Sequence, residues 1–228
     1  MNIKVLTYNI HHAEGVDNEV DLGRIAHVLA ASAAELIALQ EVDRFMPRTG
    51  FVPQAKRLAQ KLGKTYVFAP TLRLVCLPLF GNAVISAYPI ISWTNHRLPG
   101  TGEPRRMLET RILMQGETVC FCNTHLGLNA VDRKGQVAEI IRIVSDIKIP
   151  LILCGDFNAL PDAPEIRDLL IVLDDACVIN GYTFPPQEPT ARIDYIFTSS
   201  HWKVRKCFTI NSQASDHLPI VAHLTLDL

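Results

Sequence analysis

Polar and ionisable side chains follow short apolar runs at five points of this sequence, and at a sixth point an acid interrupts another run. They are Asn9, Glu41, Asn123 to His125, Asp156 to Asn158, Ser215 to His217 and the interrupting Asp194. Carboxylate and amide oxygens suit Mg²⁺ or Mn²⁺, whereas the lack of a Cys/His cage argues against structural zinc. Histidine can supply proton chemistry near neutral pH. These residue types indicate a metal-assisted hydrolase of phosphate esters, in which the cation would neutralise charge on a phosphate oxygen.

The run LILCGDFNA, at 151–159, predicts how one of these clusters is positioned. Its apolar part is bounded by Pro150 and Gly155, which is typical of a short strand buried on both faces. Asp156 and Asn158 then lie where the strand becomes a loop, a place where polar groups can converge on a ligand. A surface turn is the alternative, because Gly, Asp and Asn are common turn residues.

The apolar periodicity of the chain predicts many short strands and few helices. Strands are expected at 3–10, 36–40, 66–69, 83–86, 111–114, 117–122, 151–155, 193–199, 204–210 and 220–226. Helices are expected at 21–34, with Asp21 as the N-cap, and at 51–62, 136–147 and 163–170. This balance favours two packed sheets with helices outside them.

Length and composition indicate an ordinary globular protein. We expect one domain over 1–228, because 228 residues can bury a sizeable core. No apolar run has membrane-spanning length and the N-terminus lacks a signal-peptide pattern, so the expected location is cytoplasmic. The net charge of −1 gives no general attraction to polyanions. All six cysteines are predicted to be reduced: Cys76, Cys120, Cys122, Cys154, Cys177 and Cys207.

Seven motifs in a fixed order carry a resemblance to a known family. They are TYNI (7–10), LQE (39–41), GNAVIS (81–86), NTHL (123–126), GDFNA (155–159), RIDYIF (192–197) and SDHLP (215–219). In this order they resemble the endonuclease/exonuclease/phosphatase superfamily, which includes DNase I-like nucleases, abasic-site endonucleases, sphingomyelinases and inositol-polyphosphate 5-phosphatases. The resemblance implies a DNase I-like α/β (α+β) fold, a four-layer sandwich of two mostly antiparallel sheets flanked by helices.

The resemblance also implies a metal site. Glu41 would be the principal Mg²⁺ ligand, Asn9 would lie beside it, and Asp216 would contribute at or near the metal. Mn²⁺ could substitute for Mg²⁺. Each side chain alone also has a structural explanation: Asn9 could be a strand-end turn residue and Glu41 a solvated acid. Seven motifs in order make all such explanations together far less favoured than the site.

The resemblance assigns the catalytic roles to a second group of residues. Asp156 would orient or deprotonate the attacking water, and Asn158 would donate a hydrogen bond to the phosphoryl oxygens. Asp194 would pair with His217, fix its tautomer and favour its protonated form beside the phosphate. His125 would face the phosphate or the leaving group. The other histidines match no motif and are expected to be structural or solvated: His11, His12, His27, His96, His201 and His223.

Two residues are candidates for substrate binding. Asn82 falls in a segment that lines the cleft in relatives. The stretch RLPGTGEPRRMLETR, at 97–111, predicts a flexible basic loop that could hold an anionic substrate, with Arg105 as the first candidate. Its arginines could equally be surface residues, and Arg111 could simply begin the next strand.

The expected substrate is a phosphate ester, which could be a small molecule, a lipid head group or a nucleic acid. A phosphodiesterase is expected because the chain is compact and near neutral and lacks an extended basic track for nucleic acid. The alternatives are a nuclease acting on DNA or RNA, a phosphomonoesterase and, from a different class, a non-catalytic phosphate-binding protein. No protein partner is predicted.

Overall fold

The computed structural model describes residues 1–74, 77–177 and 181–227. In chain order the strands and α-helices are β1 (Asn2–Asn9), α1 (Leu22–Ser32), β2 (Leu36–Asp43), α2 (Gln54–Leu62), β3 (Thr65–Leu74), β4 (Leu77–Ser86), β5 (Ile90–Arg97), β6 (Arg106–Met114), β7 (Glu117–His125), α3 (Ala130–Ser145), β8 (Leu151–Asp156), α4 (Pro164–Leu169), β9 (Asp174–Asp175), β10 (Asp194–Thr198), β11 (Trp202–Thr209) and β12 (Ile220–Leu226). Two short 3-10 helices lie at His11–Ala13 and Pro47–Thr49.

The strands form two six-stranded sheets. The first has the order β11-β12-β1-β2-β4-β3 and the second the order β5-β6-β7-β8-β10-β9. Two strand pairs are parallel, β1 with β2 and β7 with β8, and the other described pairs are antiparallel. Each parallel pair is joined through a helix, α1 in the first sheet and α3 in the second, as a parallel crossover requires.

Three apolar clusters make this a four-layer sandwich. Val5 and Leu36 of the first sheet share a fully buried cluster with Phe121 and Ile152 of the second, so this cluster is the interior between the sheets. Helices α1 and α2 cover the outer face of the first sheet, and α3 and α4 cover the outer face of the second. The predicted DNase I-like sandwich of two mostly antiparallel sheets with helices outside is therefore confirmed.

The observed boundaries of several helices and strands differ from the predicted ones. The N-cap of α1 is as predicted, since the Asp21 side chain accepts a hydrogen bond from the Gly23 amide. Helix α3 begins at Ala130, where the Asn129 side chain caps it. The predicted start at 136 was too late, because the first turn of the helix is largely exposed and shows no apolar stripe. The helix predicted from 51 begins at Gln54. Strand β5 was not predicted, because an exposed edge strand shows no buried apolar alternation.

The predicted basic loop at 97–111 is correct only over 98–105 and is wrong at its two ends. Strand β6 begins at Arg106 and pairs with β5 and β7, so the connection between strands is only 98–105. Leu108 and Ile112 of β6 are fully buried between the two sheets, and Met107 is fully buried on the opposite face of the strand, in the cluster under the helices. Arg111 therefore belongs to a strand, as the alternative interpretation held.

The prediction that every cysteine is reduced is also wrong. Cys177, which follows β9, forms a disulfide with Cys207 of β11 across a Cα–Cα distance of 5.3 Å. These two residues lie 30 positions apart and meet only because the edges of the two sheets pack together. Cys120, Cys122 and Cys154 are buried and free, and Cys76 lies outside the described residues.

No helix within the described ranges is both long and apolar enough to cross a membrane.

Candidate active site

The ends of five strands from both sheets meet at one end of the sandwich. Asn9 ends β1, Glu41 lies near the end of β2, His125 ends β7 and Asp156 ends β8. The parallel pairs place their carboxyl ends side by side, and His125 is the direct partner of Asp156 in the β7–β8 register. Strand β10 runs in the opposite direction, so its first residue, Asp194, pairs with Asp156.

Gly155 allows β7 and β8 to approach closely beside this cluster. Its φ is +155°, and a Cβ atom there would lie 2.1 Å from the carbonyl oxygen of Thr124. A side chain at this position would push the two strands apart, so the glycine fixes the distance between His125 and Asp156.

Asn9 links the acids of the two sheets. Its Nδ2 atom lies 3.0 Å from Glu41 Oε1 and 3.0 Å from Asp156 Oδ2, so one amide nitrogen donates to both carboxylates. Its Oδ1 atom accepts the His11 backbone N–H at 3.1 Å. The Asn9 side chain is buried and all of its polar groups are used. A single amide nitrogen therefore holds Glu41 and Asp156 close together.

Backbone strain surrounds Glu41. Glu41 has a φ of +55° at an irregularity in the β2–β4 pairing, and His11 and His12 have φ values of +42° and +44°. Positive φ is unfavourable for such residues, and bulges next to sites redirect side chains. One ligand atom from each of these three residues lies within 4.8 Å of the others. Asp216 Oδ1 is 3.9 Å from His11 Nδ1, so a second carboxylate borders this group.

A second cluster lies on the other side of Asp156. Asp156, Asp194 and His217 are buried, with one ligand atom of each within 4.8 Å of the others, and could also hold a metal ion. Within it, His217 Nδ1 lies 2.8 Å from Asp194 Oδ2. His217 Nε2 lies 3.7 Å from Asp156 Oδ2. The pairing of Asp194 with His217 that the resemblance implies is thus present as a short hydrogen bond.

The pKa values of His217 and Asp156 are both raised, which suits acid–base catalysis. Burial opposes protonation of His217, but the carboxylates of Asp194, Asp156 and Asp216 outweigh it and raise its pKa to about 10. Burial, together with the negative charge of Asp194, raises the pKa of Asp156 to about 7. At neutral pH the site therefore contains a positively charged imidazole beside a carboxyl group that can accept or release a proton.

His125, at the end of β7, and Asn158, in the loop after β8, lie in contact. Burial, helped by the positive charges of Arg105 and His217, holds the pKa of His125 well below its usual value, so the ring is neutral. Its Nε2 atom is 3.2 Å from Asn158 Nδ2 and 3.5 Å from Asp156 Oδ2. Asn158 Nδ2 also donates to the Leu126 carbonyl at 3.1 Å. Both amide hydrogens of Asn158 thus have partners here, and contact with a phosphate would require one of them to be exchanged.

Asn82 and Arg105 lie at the border of the site. Asn82 is buried and donates from Nδ2 to the Arg106 carbonyl at 3.2 Å, so it holds the start of β6. Arg105 is 7 % exposed, and its nearest acid is Glu103, at 3.6 Å from Nη2. Among the described residues, Arg105 Nε has no hydrogen-bond partner. A buried guanidinium with an unused N–H next to His125 is suited to an anionic group.

The structure also brings in residues that the sequence analysis left without a function. His11 and His12 were expected to be structural or solvated, yet they adjoin Glu41; their place directly after Asn9 was the available signal. The ring centroid of Phe184 lies 5.1 Å from that of His217. Phe184 stands in a proline-rich loop with no motif of its own, so the sequence offered no comparable signal for it.

Comparisons with known proteins were consistent with this geometry. The model of the "Endonuclease/Exonuclease/phosphatase family" matches residues 6–217. "Uncharacterized protein YbhP" of Escherichia coli (strain K12) is 27 % identical over 248 residues, which cover 99 % of this chain and 97 % of YbhP. An endonuclease/exonuclease/phosphatase structure from Beutenbergia cavernae DSM 12333 is 28 % identical with a TM-score of 0.80, covering 99 % of this chain and 72 % of that one.

A second similar structure is the mannosyl-6-phosphatase of Bacteroides thetaiotaomicron VPI-5482. It has a TM-score of 0.81 and 20 % identity, and the alignment covers 98 % of this chain and all of that one. At this identity the likeness concerns the fold alone. The family model spans nearly the whole chain and includes every strand end that contributes to the site. The chain therefore belongs to the endonuclease/exonuclease/phosphatase family, whose members are metal-dependent phosphoesterases.

Proposed function

We propose that this protein is a Mg²⁺-dependent phosphodiesterase. The observation that carries the proposal is the position of Asn9, whose amide binds Glu41 and Asp156 at 3.0 Å each. This arrangement places Glu41, the candidate metal ligand, beside Asp156, whose pKa is raised to about 7. His217, whose pKa is raised to about 10, lies on the far side of that carboxyl group.

The residues around Glu41 fit a divalent cation. Glu41 and Asp216 would supply carboxylate oxygens, and Asn9 would hold Glu41 in place, while oxygen ligands of this kind favour Mg²⁺ with Mn²⁺ as a substitute. We place the ion here and not between Asp156 and Asp194, because both oxygens of Asp156 accept hydrogen bonds and the third member of that cluster, His217, is protonated at neutral pH and would repel a cation. When bound, the cation would neutralise charge on a phosphate oxygen.

The chain's own groups then account for the reaction. Asp156 takes a proton from water, the water oxygen bonds to phosphorus, and the bond from phosphorus to the leaving oxygen breaks. The leaving oxygen takes a proton from solvent, Asp156 later releases its proton, and the products are a phosphomonoester and an alcohol. Protonated His217 donates a hydrogen bond to a non-bridging phosphate oxygen as negative charge grows there. Arg105 would bind the phosphate on the side of His125.

A phosphomonoesterase is the second candidate. The similar structure named mannosyl-6-phosphatase acts, by its name, on a phosphomonoester. A monoester carries one more negative charge than a diester near neutral pH. We assign Arg105 and protonated His217 as the cationic partners of the phosphate, and this assignment favours the singly charged diester. A nuclease remains a further candidate, although a net charge of −1 offers no extended attraction to nucleic acid.

Hydrolysis of bis-p-nitrophenyl phosphate and of p-nitrophenyl phosphate in Mg²⁺, in Mn²⁺ and in chelator tests the proposal. We expect metal-dependent cleavage of the diester that is lost in His217→Ala and in Asp156→Asn. A higher rate on the monoester would identify a phosphatase. Salt-sensitive cleavage of plasmid DNA at sub-stoichiometric enzyme would identify a nuclease. Binding of phosphate without turnover of any ester would identify a non-catalytic binding protein.

A further inference from the structure

The two histidines that follow β1 have an unusual backbone. Three successive residues are left-handed there, with φ values of +42° at His11, +44° at His12 and +69° at Ala13. Residues that have a Cβ atom avoid this region, and such strain persists only where the surrounding structure enforces it. Strain of this kind collects at functional sites, yet neither histidine takes part in the proposed hydrolysis. The turn after β1 therefore calls for a function of its own.

A buried glutamine fixes this turn against β2. Gln54, the first residue of α2, donates from Nε2 to the His12 carbonyl at 2.7 Å. Its Oε1 atom accepts the backbone N–H of Asp43 at 2.8 Å, two residues after Glu41. One side chain thus joins the backbone of the histidine turn to the backbone beside Glu41. The relative position of these groups is built into the fold.

His12 has one ring nitrogen in use and one without a partner. Its Nε2 atom lies 3.2 Å from Glu14 Oε2. A carboxylate only accepts hydrogen bonds, so Nε2 carries the hydrogen and, in the neutral ring, Nδ1 carries the lone pair. Nδ1 is buried and has no hydrogen-bond partner among the described residues. Buried polar atoms are rarely left unpaired, and a histidine that donates its other N–H to a carboxylate is the usual arrangement at metal ions.

His11 lies beside the same acids. One ligand atom each of His11, His12 and Glu41 lies within 4.8 Å of the others. Two ligands of one ion, each at about 2.1 Å from it, are at most about 4.2 Å apart, so small side-chain rotations bring these atoms to a single cation. His11 Nδ1 is also 3.9 Å from Asp216 Oδ1, and the side chain is partly exposed, so a cation can reach it from solvent.

Nitrogen ligands change which ion such a site favours. Mg²⁺ binds through oxygen ligands and keeps several waters, whereas imidazole nitrogens bind divalent transition-metal ions. Two carboxylates and two imidazoles therefore form a mixed set that suits a transition-metal ion better than a set of oxygens alone would. Mg²⁺ can still use the carboxylates of Glu41 and Asp216.

We propose that His11 and His12 are nitrogen ligands of the cation at Glu41, and that they make this site select a divalent transition-metal ion over Mg²⁺. The inference rests on the proposed function for the placement of the cation at Glu41, and it adds two ligands and the class of ion. His12 binds through Nδ1 while Glu14 holds the ring by Nε2. His11 closes the site on the side of Asp216.

Pulsed electron paramagnetic resonance of one equivalent of Mn²⁺ on the wild-type protein tests the ligands without any substitution. We expect nitrogen couplings on the Mn²⁺ signal that change from ¹⁴N to ¹⁵N frequencies when only the histidines are labelled with ¹⁵N. The absence of histidine nitrogen coupling in the labelled wild type would overturn the proposal.

Variants then identify which histidines are bound. His11→Ala and His12→Ala should each weaken the coupling, and the double variant should abolish it. His27→Ala, at an exposed position on α1, is the matched control and should leave the signal unchanged. Full coupling in His11→Ala, or any coupling that persists in a folded double variant, would assign the nitrogen to another histidine and overturn the proposal.

Titration calorimetry with Mn²⁺ and with Mg²⁺ separates ligation from a merely structural role. His11→Ala should raise the Kd for Mn²⁺ at least about tenfold and the Kd for Mg²⁺ less than about threefold. Equal losses for the two ions would mean that His11 only shapes the surroundings of Glu41, and would overturn the selectivity.

Failure of the proposed function is distinguishable from failure of this inference. Histidine coupling in a protein that does not cleave bis-p-nitrophenyl phosphate with either ion would overturn the phosphodiesterase function and leave the ligands standing. Metal-dependent cleavage of the diester without histidine coupling would overturn the ligands alone.

Discussion

Gln40 Nε2 donates a hydrogen bond to Asn123 Oδ1 at 2.7 Å, across the interior between the two sheets. Both residues are fully buried, Gln40 in β2 and Asn123 in β7. Glu41 directly follows Gln40, and His125 follows Asn123 by two residues. One buried amide pair thus sets the distance between the sheet that carries the metal-ligand candidate and the sheet that carries the phosphate-facing histidine.

We predict that Asn123→Ala lowers the free energy of unfolding by at least about 2 kcal/mol. Asn123 Nδ2 also donates to the carbonyls of Leu39 and Ala83, so the substitution leaves several buried polar groups unpaired, at about 1–3 kcal/mol each. Urea unfolding provides the measurement. Asn211→Ala, at an exposed position, should change stability by less than about 0.5 kcal/mol. Equal small effects in both variants would contradict the role of the amide pair.

The ion pair of His217 with Asp194 predicts a specific dependence of stability on pH. The pKa of His217 is about 10 in the folded protein and 6.5 ordinarily, so its stabilising effect is complete below about pH 6.5 and is lost as pH rises through about 10. In chelator, the wild type should lose on the order of 4 kcal/mol over this range.

Asp194→Asn should flatten that pH dependence. It removes the charge that holds the proton on His217, and it also lowers the pKa of Asp156, which acts in the same direction. Urea unfolding at about pH 6, 8 and 10 measures the slope. Asp168→Asn, exposed on α4, is the control and should keep the wild-type slope. A wild-type slope in Asp194→Asn would refute the pairing as its source.

Asp156→Asn should lower the activity of the protein and yet raise its stability above neutral pH. Loss of the proton acceptor should reduce kcat by about 10² to 10⁴ fold. The pKa of Asp156 is raised from 3.8 to about 7, so ionisation of this acid destabilises the metal-free protein increasingly as pH rises from about 4 to about 7. The amide cannot ionise, and metal-free Asp156→Asn should be more stable than the wild type at about pH 8, by on the order of 2–4 kcal/mol. At about pH 4 this advantage should vanish, and lower stability at both pH values would contradict the assignment.

Glu41→Gln tests the metal site by a readout that does not need turnover. Mg²⁺ that binds only the folded protein stabilises it by RT ln(1 + [Mg²⁺]/Kd), so tighter binding gives a larger rise in melting temperature. We expect this rise in the wild type and its loss in Glu41→Gln at equal Mg²⁺ concentration, with at least about a tenfold higher Mg²⁺ requirement for activity. Glu117→Gln, exposed on the β6–β7 hairpin, should behave as the wild type. If Mg²⁺ raised the melting temperature of Glu41→Gln as much as that of the wild type, Glu41 would not be a ligand of the ion.

Local sequence signals were sufficient for most of the elements and for the identity of the candidate site residues. Strand alternation, the Asp21 cap and the seven ordered motifs each depend on residues close together in the chain. They located α1, part of strand β6, strand β7 and the polar groups at the strand ends, which the structure brings together. Signals of this kind fail where an element is exposed, as in β5 and the first turn of α3. The cytoplasmic location, the single domain and the individual site roles stay predictions.

The sequence by itself thus determined the fold family, the polar residues at the strand ends and the kind of chemistry they could perform. Only the tertiary structure decided that Asn9 joins Glu41 to Asp156, that Cys177 meets Cys207, and that the charge of buried Arg105 acts on His125. The physical reason is distance along the chain. Asn9 and Asp156 are 147 residues apart, and no local pattern records which sheet edges will meet when the two sheets pack.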